Sequence, residues 1–241
     1  MKKLLAVLMI GILAVSCTAC GEDSSTDDTT GNSKTSTSDK ADKSEDEAEE
    51  NDKADSGEIT VEALLNHEET AASDFTPAVD YEDESKWGII GYEGTDDIVV
   101  VPETIDGETI TFVGKYCFAN RSVEKAIVFP DTVEKFEECA CSLNEKVETV
   151  VLGANTKTIG NGAFIQCNSL KEVKLNDGLE TICTQAFSMC KNLKSIYIPE
   201  SVTTIEYGAF TMIEDSVVIH GKAGSAAEEY AKSENIQFVA E

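Results

Sequence analysis

The sequence predicts a repeat solenoid with a ladder of short parallel β-strands, closed by small helical and strand caps. Three observations lead to this fold class. Apolar residues recur in a 23-residue unit, apolar and charged residues alternate over one short segment of a unit, and each unit alone would leave its apolar edge exposed. Stacking the units on one another buries that edge.

The repeat interval is clearest in the regularly spaced alanines Ala140, Ala163, Ala186 and Ala209, which define the 23-residue unit. Four more apolar columns keep this interval: Cys141, Phe164, Phe187 and Phe210; Phe136, Ile159, Ile182 and Ile205; Ile127, Val150, Val173 and Ile196; and Phe129, Leu152, Leu175 and Ile198. Five columns in one register indicate stacked coils. Alanine suits a close approach of neighbouring coils, and phenylalanine fills the space beside it.

The strand of each unit is illustrated by residues 170–175, where Val173 and Leu175 alternate with charged residues. This alternation is typical of a short strand with one buried face. The segment Leu179-Glu-Thr-Ile182 predicts a second inward turn of the same coil.

These units resemble the BspA-type, or Treponema pallidum-type, leucine-rich repeat. The best match is Leu193-Lys-Ser-Ile-Tyr-Ile-Pro199 with Gly208-Ala-Phe210, and the likeness extends over about residues 87–212. The chain departs from the pattern at Cys117 and Cys141, which replace an alanine and a phenylalanine. The resemblance implies a bacterial surface lipoprotein, from a family associated with adhesion and host interaction.

Residues 1–19 predict a lipoprotein signal peptide, with Lys2 and Lys3 ahead of an apolar run of about 12 residues. The following Cys17-Thr-Ala-Cys20 resembles a bacterial lipobox, so Cys20 is the expected lipidation site. Lipidation at Cys17 and cleavage without lipidation remain alternatives. The predicted location is the extracellular face of the bacterial cell membrane, with the lipid as the only membrane contact.

Residues 20–57 predict a disordered acidic tether, because Ser, Thr, Asp, Glu and Lys dominate and little apolar surface is available for burial. Residues 58–97 are assigned to an N-terminal cap, with a brief helix at Thr60–Leu65 and a first strand at Trp87–Ile90. The repeats occupy residues 98–212, and their first unit contains a short insertion at Ile105-Asp-Gly107. Residues 213–241 form the C-terminal cap, expected as strand, helix and strand.

The composition argues against nucleic-acid binding and offers no recognisable catalytic motif. The chain has a net charge of −27, which repels polyphosphate. Its two histidines, His67 and His220, fall in opposite caps without an expected catalytic partner. We predict no catalytic residue, no cofactor and no metal site, which leaves an enzyme as a remote alternative.

Six cysteines lie in the expected fold: Cys117, Cys139, Cys141, Cys167, Cys183 and Cys190. Cys167 and Cys190 share one column, and adjacent coils would bring them within disulfide range. Reduced, buried thiols are the favoured interpretation, because free cysteine packs as a small apolar residue. Metal binding by Cys139 and Cys141 is disfavoured, since alternate residues of an extended segment point in opposite directions.

The strands predict a concave binding face, whose surface is formed by the outward strand positions. The candidate ligand-binding set is Lys125, Val128, Val151, Lys171, Lys174, Lys194 and Tyr197. Val128, Val151 and Tyr197 are expected to form an exposed apolar row, although such residues also simply favour strands. We expect a monomer that binds an extracellular protein or glycan, with a structural or accessory role in an envelope complex as the alternative.

Overall fold

The computed structural model describes residues 60–121, 123 and 125–241, so the predicted signal peptide, Cys20 and the tether lie outside the described residues. In chain order the elements are α1 (Val61–Leu65), a 3₁₀ turn (Ala72–Asp74), β1 (Phe75–Val79), β2 (Trp87–Tyr92), β3 (Ile98–Val100), β4 (Thr104–Ile105), β5 (Glu108–Val113), β6 (Ala126–Val128), β7 (Lys135–Phe136), β8 (Thr149–Val151), β9 (Thr158–Ile159), β10 (Glu172–Lys174), β11 (Thr181–Ile182), β12 (Ser195–Tyr197), β13 (Thr204–Ile205), β14 (Val218–Gly221), α2 (Ala226–Ser233) and β15 (Gln237–Ala240). This architecture is the predicted solenoid.

One parallel ladder runs along the solenoid in the order β3, β6, β8 and β10. Ile127 is the register partner of Val150, and Val150 is the partner of Val173, so the pairing keeps the 23-residue interval. A second parallel group, β12, β14 and β15, continues the series to the C-terminal end. The three-residue strands point their middle residue into the core and leave the outer two for the opposite face.

A second ladder is built from the two-residue strands β7, β9, β11 and β13, which follow β5. Phe136, Ile159, Ile182 and Ile205 are partners across it, and this is one of the columns read from the sequence. Each coil therefore adds one rung to each ladder.

The core is a continuous column of apolar side chains between the two ladders. The rings of Phe164 and Phe187 are stacked with centroids 5.5 Å apart, and Phe187 continues to Phe210 at 5.4 Å. Tyr230 of α2 extends this row, with its ring centroid 5.9 Å from that of Phe210. The cap helix therefore shields the last coil with a side chain of matching shape.

Tight turns follow the second ladder, and two columns of residues in them have left-handed backbone conformations. The first column is Tyr116, Cys139, Gly162, Gln185 and Gly208, and the second is Asn120, Leu143, Gln166, Met189 and Met212. The sequence pattern did not reveal this geometry. It also corrects the argument about Cys139 and Cys141, because their segment is a turn and not an extended strand.

The N-terminal cap contains the helix expected after Thr60, whose hydroxyl oxygen accepts a hydrogen bond from the Ala63 N–H at 3.3 Å. The expected first strand at Trp87 is present as β2, but β1 precedes it and pairs with it in antiparallel fashion. The prediction that Trp87–Ile90 is the first strand is therefore wrong. At the other end, β14, α2 and β15 follow the expected order of strand, helix and strand.

The cysteine thiols in the core are reduced, as favoured from the sequence. Cys167 Sγ donates to the carbonyl of Cys141 at 3.2 Å, and Cys190 Sγ donates to the carbonyl of Phe164 at 3.1 Å. Burial raises the pKa of the Cys167 thiol to about 12. These side chains therefore behave as buried packing groups with one weak hydrogen bond each.

Candidate ligand-binding surface

The outward side chains of the first ladder and its continuation form the face that was predicted from the sequence as the concave face, and we keep that name for it. Lys174 and Tyr197 occupy the same position in successive units, and both are exposed, with 47% of Tyr197 accessible. His220 is the register partner of Tyr197 and extends this row. Lys174 and Tyr197 therefore lie on the face predicted from the sequence.

Val128 and Val151 are on the same face, but they are not exposed. Their accessible fractions are only 5% and 3%, and both pack in a separate apolar cluster with Leu64 of α1. The predicted exposed apolar row is therefore wrong at these two positions. Covering them removes apolar surface from water, which the strand pattern alone could not indicate.

The uncovered part of the face is a groove of about 940 Å³, and Leu64 contributes to one wall. Beyond the covered valines, the outward strand positions carry polar side chains or the Tyr197 ring, and the apolar residues Val173 and Ile196 also line the groove. The groove is lined by Leu64, Lys125, Ala126, Glu148, Thr149, Lys171, Glu172, Val173, Lys174, Leu175, Ser195, Ile196, Tyr197, His220 and Glu241. This volume lies within the usual range for small-ligand sites.

Three of the four lysines predicted for this surface already have oxygen partners. Lys125 Nζ lies 3.2 Å from Asp97 Oδ2, Lys171 Nζ lies 2.9 Å from Glu148 Oε2, and Lys194 Nζ donates to the carbonyl of Lys191 at 2.7 Å. Within the described part of the chain, Lys174 has no carboxylate within salt-bridge distance. Lys174 is therefore the cation of this set that is most available to a ligand.

The structure adds a histidine–carboxylate pair that sequence reasoning missed. His220 Nδ1 lies 2.7 Å from Glu241 Oε1, and both residues line the groove. Their wide separation along the chain gave no local signal, because the contact depends on the parallel pairing of β14 with β15. Ser195 lines the same groove, and among the described residues it makes no hydrogen bond with the imidazole.

Within the residues that the structure describes, no group of three or more His, Cys, Asp or Glu side chains is arranged to hold a metal ion. No helix in this part of the chain is long and apolar enough to cross a membrane.

The chain is similar to several bacterial proteins of known structure. The T. pallidum Leucine Rich Repeat protein (TpLRR) is 25% identical, with a TM-score of 0.60 over 64% of this chain and 71% of that chain. A leucine rich cell surface protein from Faecalibacterium prausnitzii A2-165 is 17% identical, with a TM-score of 0.35 over 63% of this chain and 54% of that one. The pneumococcal vaccine antigen PcpA is 18% identical, with a TM-score of 0.42 over 63% and 49%, respectively.

No curated protein matches the chain. The family model described as the BspA type leucine rich repeat region matches residues 103–216 in six copies. The match agrees with the 23-residue columns and with the two ladders that they build. Residues 103–216 of this chain are leucine-rich repeats of the BspA type.

Proposed function

We propose that the protein is a non-catalytic binding module, held by a lipid at the outer face of a bacterial cell membrane, which binds an extracellular protein or glycan. The ligand would occupy the open part of the concave face. The observation that carries this proposal is the proximity of Lys174, which has no carboxylate partner among the described residues, to the exposed aromatic ring of Tyr197 in the next coil of the groove. BspA-type repeats are protein-binding scaffolds, which is consistent with this role.

The chemistry of the open groove suits a polar ligand that has at least one anionic or hydroxyl-rich group. The Lys174 ammonium can donate up to three hydrogen bonds, and the Tyr197 ring can stack on the flat face of a sugar or contact an apolar side chain. Glu172 and Ser195, on the outward side of β10 and β12, add acceptors and a donor beside them. The neighbouring strands β10 and β12, each hydrogen-bonded in a parallel sheet, hold all four groups, so little ordering is needed when a ligand binds.

The surface location rests on the N-terminal segment, where the basic start, apolar run and lipobox-like Cys17–Cys20 segment precede the acidic tether. A lipid at Cys20 and a spacer of this length would hold the repeats away from the bilayer. Labelling cells with radioactive palmitate tests the anchor. Incorporation into the wild type that is lost in Cys20→Ser supports it, whereas unchanged incorporation points to Cys17.

The binding role is tested with the mature chain purified from membranes and applied to arrays of extracellular proteins and glycans. Any ligand found is then titrated against Lys174→Ala and Tyr197→Ala. We expect each substitution to weaken binding by about tenfold or more, because truncating a central anchor residue typically costs about 2 kcal/mol or more.

Matched controls are available outside the groove. Tyr207 is 80% exposed and Lys191 is exposed, and neither lines the groove, so Tyr207→Ala and Lys191→Ala should leave the affinity unchanged. Equal affinities of the groove variants and the controls would place the ligand elsewhere. Absence of any ligand, together with cell-surface crosslinking to a single envelope protein, would favour the accessory role instead.

A further inference from the structure

The covered part of the concave face is an apolar strip on three neighbouring strands. We define the apolar strip as Ile98, Val100, Ala126, Val128 and Val151, the apolar outward residues of β3, β6 and β8. Ala126 also lines the open groove, so the strip and the groove form one continuous surface. The strip is the apolar continuation of a face whose other part is polar.

The occupant of the apolar strip is α1, a helix of only five residues. Leu64 is completely buried against the strip, and Val61, three residues earlier, is partly buried there. Residues three apart lie on the same side of a helix, so these two side chains form its entire apolar edge. The next leucine, Leu65, points away and is 56% exposed.

Side-chain packing is what holds α1 in place. Among the described residues, the hydrogen bonds of residues 60–69 stay within that segment, as in the Thr60 cap and the bond from the Asn66 side chain to the Glu62 carbonyl. The connector, residues 66–69, is exposed. The chain is first fixed to the ladder at Thr70, whose N–H donates to the Val100 carbonyl at 2.9 Å.

This arrangement allows α1 to leave without breaking a hydrogen bond of either ladder. An element that contributes one fully buried side chain and is joined by an exposed connector has low local stability. The same two contacts could be made by any short helix that presents two aliphatic side chains three residues apart. Helices of this kind commonly bind in apolar grooves.

We propose that the apolar strip is a docking site for a short helical segment of a partner protein with aliphatic residues at positions i and i+3, and that α1 is its resident occupant. While α1 is bound, the partner is excluded and the accessible part of the concave face is limited to the polar groove. This inference rests on the apolar strip and α1, and it does not depend on a ligand at Lys174 and Tyr197.

The test uses two neighbouring leucines as a matched pair in the full chain. Leu64→Asp should release α1, and Leu65→Asp should leave it in place because Leu65 already faces solvent. With the apolar dye ANS as the probe, we expect the fluorescence of L64D to be at least threefold above that of the wild type, and L65D to match the wild type.

A synthetic peptide of residues 57–70 then serves as the partner probe. It should reduce the ANS signal of L64D by at least half, whereas the same peptide with Leu64→Asp should have no effect. The wild-type chain should not respond, because its own tethered segment competes at a local concentration in the millimolar range.

Two outcomes would overturn the proposal. A dye signal in L64D equal to that of the wild type, or one that the peptide cannot reduce, would show that the apolar strip is not a docking site. A loss of unfolding stability in L64D as large as that in the core variant Val150→Asp would show that α1 is part of the cooperative core and not an exchangeable occupant.

Discussion

Gln185 occupies a left-handed turn position (φ 57°) at which the preceding unit has Gly162 (φ 59°). A residue other than glycine is destabilised by about 1–2 kcal/mol in this conformation. Glycine avoids that strain, but it loses more backbone entropy on folding, which costs about 0.5–1 kcal/mol. Gln185→Gly should therefore stabilise the fold by about 0.5–1 kcal/mol. Gly162→Ala should destabilise it by at least as much, because its new Cβ would lie 3.3 Å from Ile165 Cγ2 and 3.4 Å from Cys139 Sγ.

Urea unfolding followed by circular dichroism measures both effects, and thermal unfolding provides a second readout. For a domain of this size, about 1 kcal/mol shifts the melting temperature by about 2–4 °C. Thr203→Gly is the control, because Thr203 is exposed but does not have a positive φ, so glycine should destabilise there. If Gln185→Gly lowers the urea midpoint as Thr203→Gly does, the left-handed backbone conformation of Gln185 does not destabilise the fold.

Three further predictions concern the core, the N-terminal hairpin and the thiols. Phe187→Ala removes a ring stacked on both sides and should cost about 3–5 kcal/mol in urea unfolding, while an unchanged midpoint would contradict the stacked core. The hydrogen bond from Lys135 lowers the pKa of Asp80 in the folded state. The stabilisation from this ion pair is therefore present above the unfolded pKa of about 3.9 and is lost as the pH falls through the lower pKa of the folded state. Asp80→Asn should thus cost about 1.5–3 kcal/mol at pH 7 and progressively less towards pH 2, and a pH-independent difference would refute the assignment. Burial raises the pKa of the Cys167 thiol, so iodoacetamide at pH 8 should label the partly buried Cys183 first and Cys167 only after unfolding. Peptide mapping measures the labelling, and equal labelling of both thiols in the native protein would contradict this expectation.

The first strand ladder could be predicted because it depends on a pattern that is local to one unit and then repeated. Val173 alternates with charged neighbours, and its counterparts lie one repeat unit to either side, so one register satisfies every coil. By contrast, β1 contains Pro77 and lacks a clear alternation, and proline is tolerated there because β1 is an edge strand. The sequence therefore identified the strands of the first ladder, predicted only a turn where the second ladder lies, and missed β1.

The candidate surface was predictable only in part. Lys174 and Tyr197 face outward because strand alternation is a property of the backbone. Whether Val128 and Val151 are exposed depends on Leu64, which lies far away along the chain. The contact of His220 with its carboxylate partner depends on the pairing of two terminal strands. Neither long-range contact leaves a periodic trace in the sequence.

The sequence by itself determined the solenoid, the 23-residue register and the outward positions of the strands, since all three follow from periodic burial of apolar side chains. Only the tertiary structure decided which outward positions remain accessible. A short segment outside the repeats folds back onto the apolar strip because burying Leu64 and the valines beneath it removes apolar surface from water. That single contact divides the concave face into a covered apolar part and an open polar groove.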